Sequence, residues 1–60
     1  RIKELYRLIN KLNEIEKAIV LLYLEERSYD EIAQIIGITK SNVGVRINRI
    51  KEKLVQMSNL

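Results

Sequence analysis

Residues 28–54, SYDEIAQIIGITKSNVGVRINRIKEKL, hold two helix starts and one helix stop in a single short stretch. Ser28 and Glu31 have the spacing of a capping box, in which a serine hydroxyl takes the N3 amide and a glutamate side chain reaches back to the cap amide. A helix is therefore predicted over 29–36. Within it Ile32, Ala33, Ile35 and Ile36 form a short apolar run, with Ile32 and Ile36 on one face. Gly37 then stands where a left-handed C-cap residue is wanted, which ends the helix. Thr39 can cap the next one. Beyond it Val43, Ile47, Ile50 and Leu54 recur at spacings of four, three and four, the stripe of a helix laid on a core.

Upstream, Ile2, Leu5, Ile9 and Leu12 fall at helical spacing among polar and charged residues, which predicts an amphipathic helix over 2–12. Asn13 with Glu16 repeats the capping-box pattern and starts a helix running over 14–25. That helix is apolar nearly all round from Ala18 to Leu24, with Ile15, Ala18, Ile19 and Leu22 as the expected core face. An all-round apolar helix is usually packed on two sides. The alternative is that Val20, Leu21, Tyr23 or Leu24 forms a partner surface. The fold class that follows is all-α: a small four-helix domain with helices at 2–12, 14–25, 29–36 and 40–55, the last two forming a helix-turn-helix. Residues 55–60 have little periodicity and are expected to fray.

Composition sets the outer limits. Sixty residues form one domain at most, and such a chain buries only roughly 60% of its unfolded surface. With no Trp, no Phe and three Tyr in a chain that is 47% apolar, the core must be Ile, Leu and Val. There is no Pro, and both glycines, Gly37 and Gly44, lie in the helix-turn-helix stretch. The absence of Cys and His removes disulfides, thiol chemistry and the usual zinc ligands, and is compatible with a reducing, cytoplasmic setting. The longest apolar run is far short of the roughly 20 residues that span a bilayer, so no membrane partner is expected. The chain begins at Arg1 without a methionine, which predicts a domain cut from a longer protein.

Nothing in the chain has the pattern of a catalyst. Glu14 with Glu16, Glu25 with Glu26, and Asp30 with Glu31 are the paired acids, and residues one or two apart on a helix diverge instead of converging on a substrate. Ser28 and Ser41 lack a neighbouring base, and no glycine-rich phosphate loop is present. No enzyme activity, metal or cofactor is expected.

Charge separates the two halves. Residues 1–36 carry six basic and seven acidic side chains, whereas residues 37–60 carry Lys40, Arg46, Arg49, Lys51 and Lys53 against Glu52 alone. A one-sided positive field on a helix suits a polyanion, nucleic acid above all. With the 43/47/50/54 stripe on the core, Ser41, Val45, Asn48, Arg49 and Glu52 fall on the far side, flanked by Asn42 and Arg46. The first half of the second helix of a helix-turn-helix enters the major groove, so Lys40, Ser41, Asn42, Val45, Arg46 and Arg49 are the candidate DNA-binding residues. Arg suits guanine edges, Asn suits adenine, and Val can touch a thymine methyl. Thr39, Lys51 and Lys53 are candidate phosphate contacts, and the helix-start amides after Thr39 offer a further one. Gly44 inside this helix costs roughly 1 kcal/mol relative to alanine. Either a close backbone approach or tolerance at a flank position would account for it.

The run Leu24, Glu25, Glu26, then SYDEIA (28–33), GIT (37–39), NVGVRINR (42–49) and finally KEKL (51–54) resembles region 4 of bacterial RNA polymerase sigma factors, most closely those of the extracytoplasmic-function group. The resemblance covers nearly the whole chain. It implies a cytoplasmic domain whose last helix reads the −35 element of promoter DNA while another surface docks on the β-subunit flap of RNA polymerase, with an anti-sigma factor as a further candidate partner. By position, Asn42 and Arg46 match the Thr and Arg of the family's recognition helix, and Arg49 its second arginine. Gly44 stands where the family commonly has Lys, and Ile50 where Ala is usual. Two rival readings remain: the output domain of a LuxR-type response regulator, whose EIA, GI(S/T) and K-x-K-L pattern is similar, and a helical protein-interaction module using the apolar second helix.

Overall fold

The computed structural model describes residues 2–58 and contains four helices: α1 (Ile2–Ile9), α2 (Glu14–Leu24), α3 (Tyr29–Ile36) and α4 (Lys40–Ser58). The described residues contain no strand. Helices α2, α3 and α4 pack against one another in all three pairs, and α1 lies against α4.

Local hydrogen bonds set most helix boundaries. At α2, the Glu16 amide donates to Asn13 Oδ1 at 2.8 Å and the Asn13 amide donates to Glu16 Oε1 at 3.2 Å. At α3, the Glu31 amide donates to Ser28 Oγ at 3.1 Å and the Ser28 amide to Glu31 Oε1 at 2.9 Å. Both capping boxes are therefore formed in full, each satisfying amides that a helix start leaves without partners. Gly37 ends α3 with φ +87°, a conformation that a Cβ makes costly, and the Ile38 amide turns back to the Ala33 carbonyl at 3.1 Å. Ile38 itself packs on the core, the apolar contact that usually accompanies this stop.

Three expectations need correction. First, α1 ends at Ile9 instead of residue 12. The Lys11 and Leu12 amides bond the carbonyls of Leu8 and Ile9, three residues back, a tightened turn that delivers Leu12 to the core just before the Asn13 cap. Leu8 is buried as well, and Ile2, expected inside, is 70% exposed. Second, Ile15 is 48% exposed. The buried pair on α2 is Ile19 and Val20, which are adjacent in sequence and so diverge by about 100°; both are buried because α2 is packed by α3 on one side and α4 on another. Third, α4 does not fray at residue 55 but continues to Ser58, since Met57 sits three residues beyond Leu54 and packs on the core cluster. Residues 59 and 60 lie outside the described residues.

The core is aliphatic, as the composition requires: Leu8, Ile9, Leu12, Ile19, Val20, Ile32, Val43, Ile47 and Ile50, with no buried polar residue among those described. Leu54 is half-buried at the end of its stripe. No helix of the described residues is long and apolar enough to cross a membrane.

The α2–α3 link contains, among the described residues, the one positive-φ residue that is not glycine, Glu26 at φ +65°. Its amide returns to the Tyr23 carbonyl and that of Arg27 to the Leu22 carbonyl, the paired bonds of a Schellman stop, in which the left-handed position ordinarily belongs to glycine. Glu26→Gly is accordingly expected to stabilise the domain, by about 0.5–1 kcal/mol after the extra unfolded-state entropy of glycine is deducted. Thermal denaturation followed by circular dichroism checks this; a lower Tm for the glycine variant would contradict it.

Candidate nucleic-acid interface

The turn after α3 is short and hydrogen-bonded on both sides, which sets the direction in which α4 starts. The Asn42 amide donates to Thr39 Oγ1 at 3.1 Å and the Val43 amide to the Thr39 carbonyl at 3.0 Å, which makes Thr39 the cap of α4. Val43, Ile47 and Ile50 are 0–2% exposed. Burying that edge leaves Lys40, Ser41, Asn42, Arg46 and Arg49 exposed on the outer part of the helix, with Val45 at 47% among them. Asn48 and Glu52 are exposed too. All six candidate base-face residues are thus accessible on the first three turns of α4.

The candidate phosphate contacts are placed differently. Lys53 Nζ bonds both carboxylate oxygens of Glu16, at 2.8 and 3.0 Å, and so ties the second half of α4 to the start of α2. Lys51 Nζ lies 5.0 Å from the centre of the Tyr23 ring on α2, within cation–π range. Each would have to leave an intramolecular partner to reach a phosphate. Lys40 Nζ stands 3.7 Å from Asp30 Oδ2, but both side chains are well over half exposed, and such a pair is worth little. Thr39 Oγ accepts the cap hydrogen bond and keeps its hydroxyl proton for a donor role.

Residue spacing on α4 explains the arrangement. Asn42, Arg46, Arg49 and Lys53 repeat the four-three-four spacing of the buried stripe, set back by one residue. This polar stripe therefore runs along the edge of the core, where α2 begins, and a small cleft there is lined by Glu16, Arg46, Arg49 and Ile50. Arg49, placed on the far side by periodicity alone, faces this cleft as well as solvent. The Glu16 carboxyl is held below its ordinary pKa, first by the Lys53 hydrogen bond and then by the Asn13 amide and the charges of Lys53 and Arg46, against the partial desolvation that pushes it up. The sequence marks Glu16 only as a cap, because a partner 37 residues away leaves no periodic signal.

On the other flank of α4, Gly44 faces Tyr29 at the start of α3. A Cβ built there would meet Tyr29 Cε2 at 3.5 Å, ordinary van der Waals contact. Close approach between the helices therefore does not demand glycine here.

Residues 2–54 match the sequence pattern of the family described as Sigma-70, region 4. The chain belongs to this family. No curated protein and no solved structure matches it. Region 4 is a DNA-binding helix-turn-helix domain of sigma factors, which act with RNA polymerase in transcription initiation. The match sets aside the response-regulator alternative and agrees with the α3-turn-α4 geometry and the four-helix, all-α fold.

Two outcomes are expected from this geometry. Gly44→Ala should stabilise the region 4 domain by up to about 1 kcal/mol, raising Tm by several degrees in thermal denaturation, because the methyl group fills space beside Tyr29 without a clash. For Glu16, a pKa lowered in the folded state contributes stability that is fully present above the ordinary carboxylate range and is lost as pH falls through the folded value. Glu16→Gln should therefore be clearly less stable than the parent in urea denaturation at pH 7, and the gap should close near pH 3. A gap that persists at the acid end would mean that shape and not charge is at stake.

Proposed function

We propose that this region 4 domain reads the −35 element of promoter DNA, as part of an extracytoplasmic-function-type sigma factor that directs RNA polymerase to initiation in the bacterial cytoplasm. The observation that carries the reading is the exposure of Lys40, Ser41, Asn42, Val45, Arg46 and Arg49 on the first turns of α4, while Val43, Ile47 and Ile50 of the same helix are buried to 2% or less. Seated in a major groove, Arg46 and Arg49 offer bidentate donors to guanine O6 and N7, Asn42 suits adenine N6 and N7, and Val45 suits a thymine methyl. Thr39, Lys40 and the amides of the first turn of α4 suit the flanking phosphates. The domain contributes binding and orientation, and the chemistry of transcription belongs to the polymerase.

The proposal extends to docking on the polymerase β-subunit flap, and the apolar groove between α1, α2 and α4 supports it. Leu5, Val20, Tyr23, Leu24 and Leu54 line it, and Leu24 is 43% exposed. The same groove suits an anti-sigma factor. It lies along the α1 side of the domain, whereas the base-reading surface is at the start of α4, so the two surfaces are compatible with simultaneous use.

Arg46→Ala is expected to weaken binding to promoter DNA in a gel shift by roughly 5- to 150-fold, the loss of one bidentate base contact worth about 1–3 kcal/mol. Unchanged affinity would sink the placement of Arg46 at a base edge.

A further inference from the structure

Most ion pairs of the described residues are superficial. In Arg7–Glu4, Arg27–Glu25, Arg27–Glu31 and Lys40–Asp30 every side chain is about half exposed or more. Lys53–Glu16 differs: the glutamate side chain is only 16% exposed, both its oxygens bind Lys53, and Oε1 also takes the Asn13 amide. Glu16 is therefore bonded to α2's own cap as well as to the lysine. It also shares a cleft with Arg46 and Arg49, so one fixed negative charge stands beside three cations of the 42/46/49/53 stripe.

Three cations at helical spacing of three and four repel one another, and an unengaged Lys53 would be a long, mobile donor for any phosphate regardless of sequence. Resting on the DNA-binding reading above, we infer that Glu16 is a positioning residue for specificity: it holds Lys53 against α2 and thereby limits sequence-independent phosphate binding, leaving base contacts by Arg46 and Arg49 to dominate. Glu16 lies on α2, outside the helix proposed to enter the groove. Affinity for any duplex is kept low, and the ratio of specific to non-specific binding is correspondingly high. Lys53 then counts among the scaffold contacts of the domain and not among its phosphate contacts.

The test is the salt dependence of binding to a duplex of random sequence, with the 60-residue chain. Each phosphate neutralised steepens the slope of log K against log salt by about 0.9. Glu16→Gln keeps an oxygen for the Asn13 amide but loses the charge, and is expected to bind the random duplex several-fold more tightly at low salt with a slope steeper by about one contact. Its ratio of promoter to random-duplex affinity should fall. In Glu16→Gln/Lys53→Met the slope should return toward that of the parent, and Glu16→Asp, which keeps the charge, should stay close to the parent. An unchanged slope in Glu16→Gln, or a steeper slope that survives loss of Lys53, overturns the inference while leaving promoter binding intact. A parent chain that binds no duplex at low salt overturns the DNA-binding reading and this inference together. A second measurement needs no variant: in ammonium proton–nitrogen correlation spectra of the parent, the Lys53 signal should keep its Glu16-bound position when promoter DNA is added, and its displacement to a phosphate-bound position overturns the inference.

Discussion

The burial of one aliphatic edge of α4 governs this domain. Val43, Ile47 and Ile50 are all but inaccessible, and they meet Ile32 of α3 and Ile19 of α2, both fully covered. Removing each such side chain from water is worth about 1.5–3 kcal/mol, and a chain of this size has few of them to rely on. Everything on α4 is oriented by that edge, because a helix with one side fixed has every other side fixed at 100° per residue. The candidate DNA-binding surface is the part of α4 that this burial leaves accessible.

The same constraint arranges the charges. The stripe of Asn42, Arg46, Arg49 and Lys53 lies one residue behind the buried stripe and follows it along the helix, so it borders the seam where α2 starts. Helix starts favour acidic side chains, and α2 begins with Glu14 and Glu16. One local preference, an acid at N3 of a capping box, thus becomes a tertiary link across the domain through Lys53. The opposite flank of α4 is handled differently, with Gly44 beside Tyr29 and Lys51 over Tyr23.

The two turns that frame α3 use one backbone device with different residues. After α3 the left-handed position is Gly37, and after α2 it is Glu26. Glycine announces such a stop in a sequence, while a glutamate hides it, which is why residues 25–27 read only as a polar link. Their hydrogen-bonding pattern emerges from the backbone alone. The family pattern spans 2–54, so α1 through most of α4 belong to region 4 as one unit.

Neighbouring residues alone specify the helical class, the two capping boxes, the limits of α3, the stop at Gly37 and the buried stripe of α4. All of these rest on interactions within about four residues or on a simple period, and such interactions are written in neighbouring positions. Tertiary structure decided which apolar positions of α2 are buried, since Ile15 and Val20 can be told apart only by where α3 and α4 lie. It likewise decided where α1 tightens to deliver Leu12 and how far α4 extends, through the packing of Met57. It also decided the placement of the basic residues: composition shows a positive half, but only the approach of α2 sets Lys53, bonded to Glu16, apart from Arg46 and Arg49 at the candidate reading surface. The physical reason is the range of the forces involved. Backbone hydrogen bonds and helical periodicity are local, whereas burial and ion pairing depend on which distant segments the collapsed chain brings together.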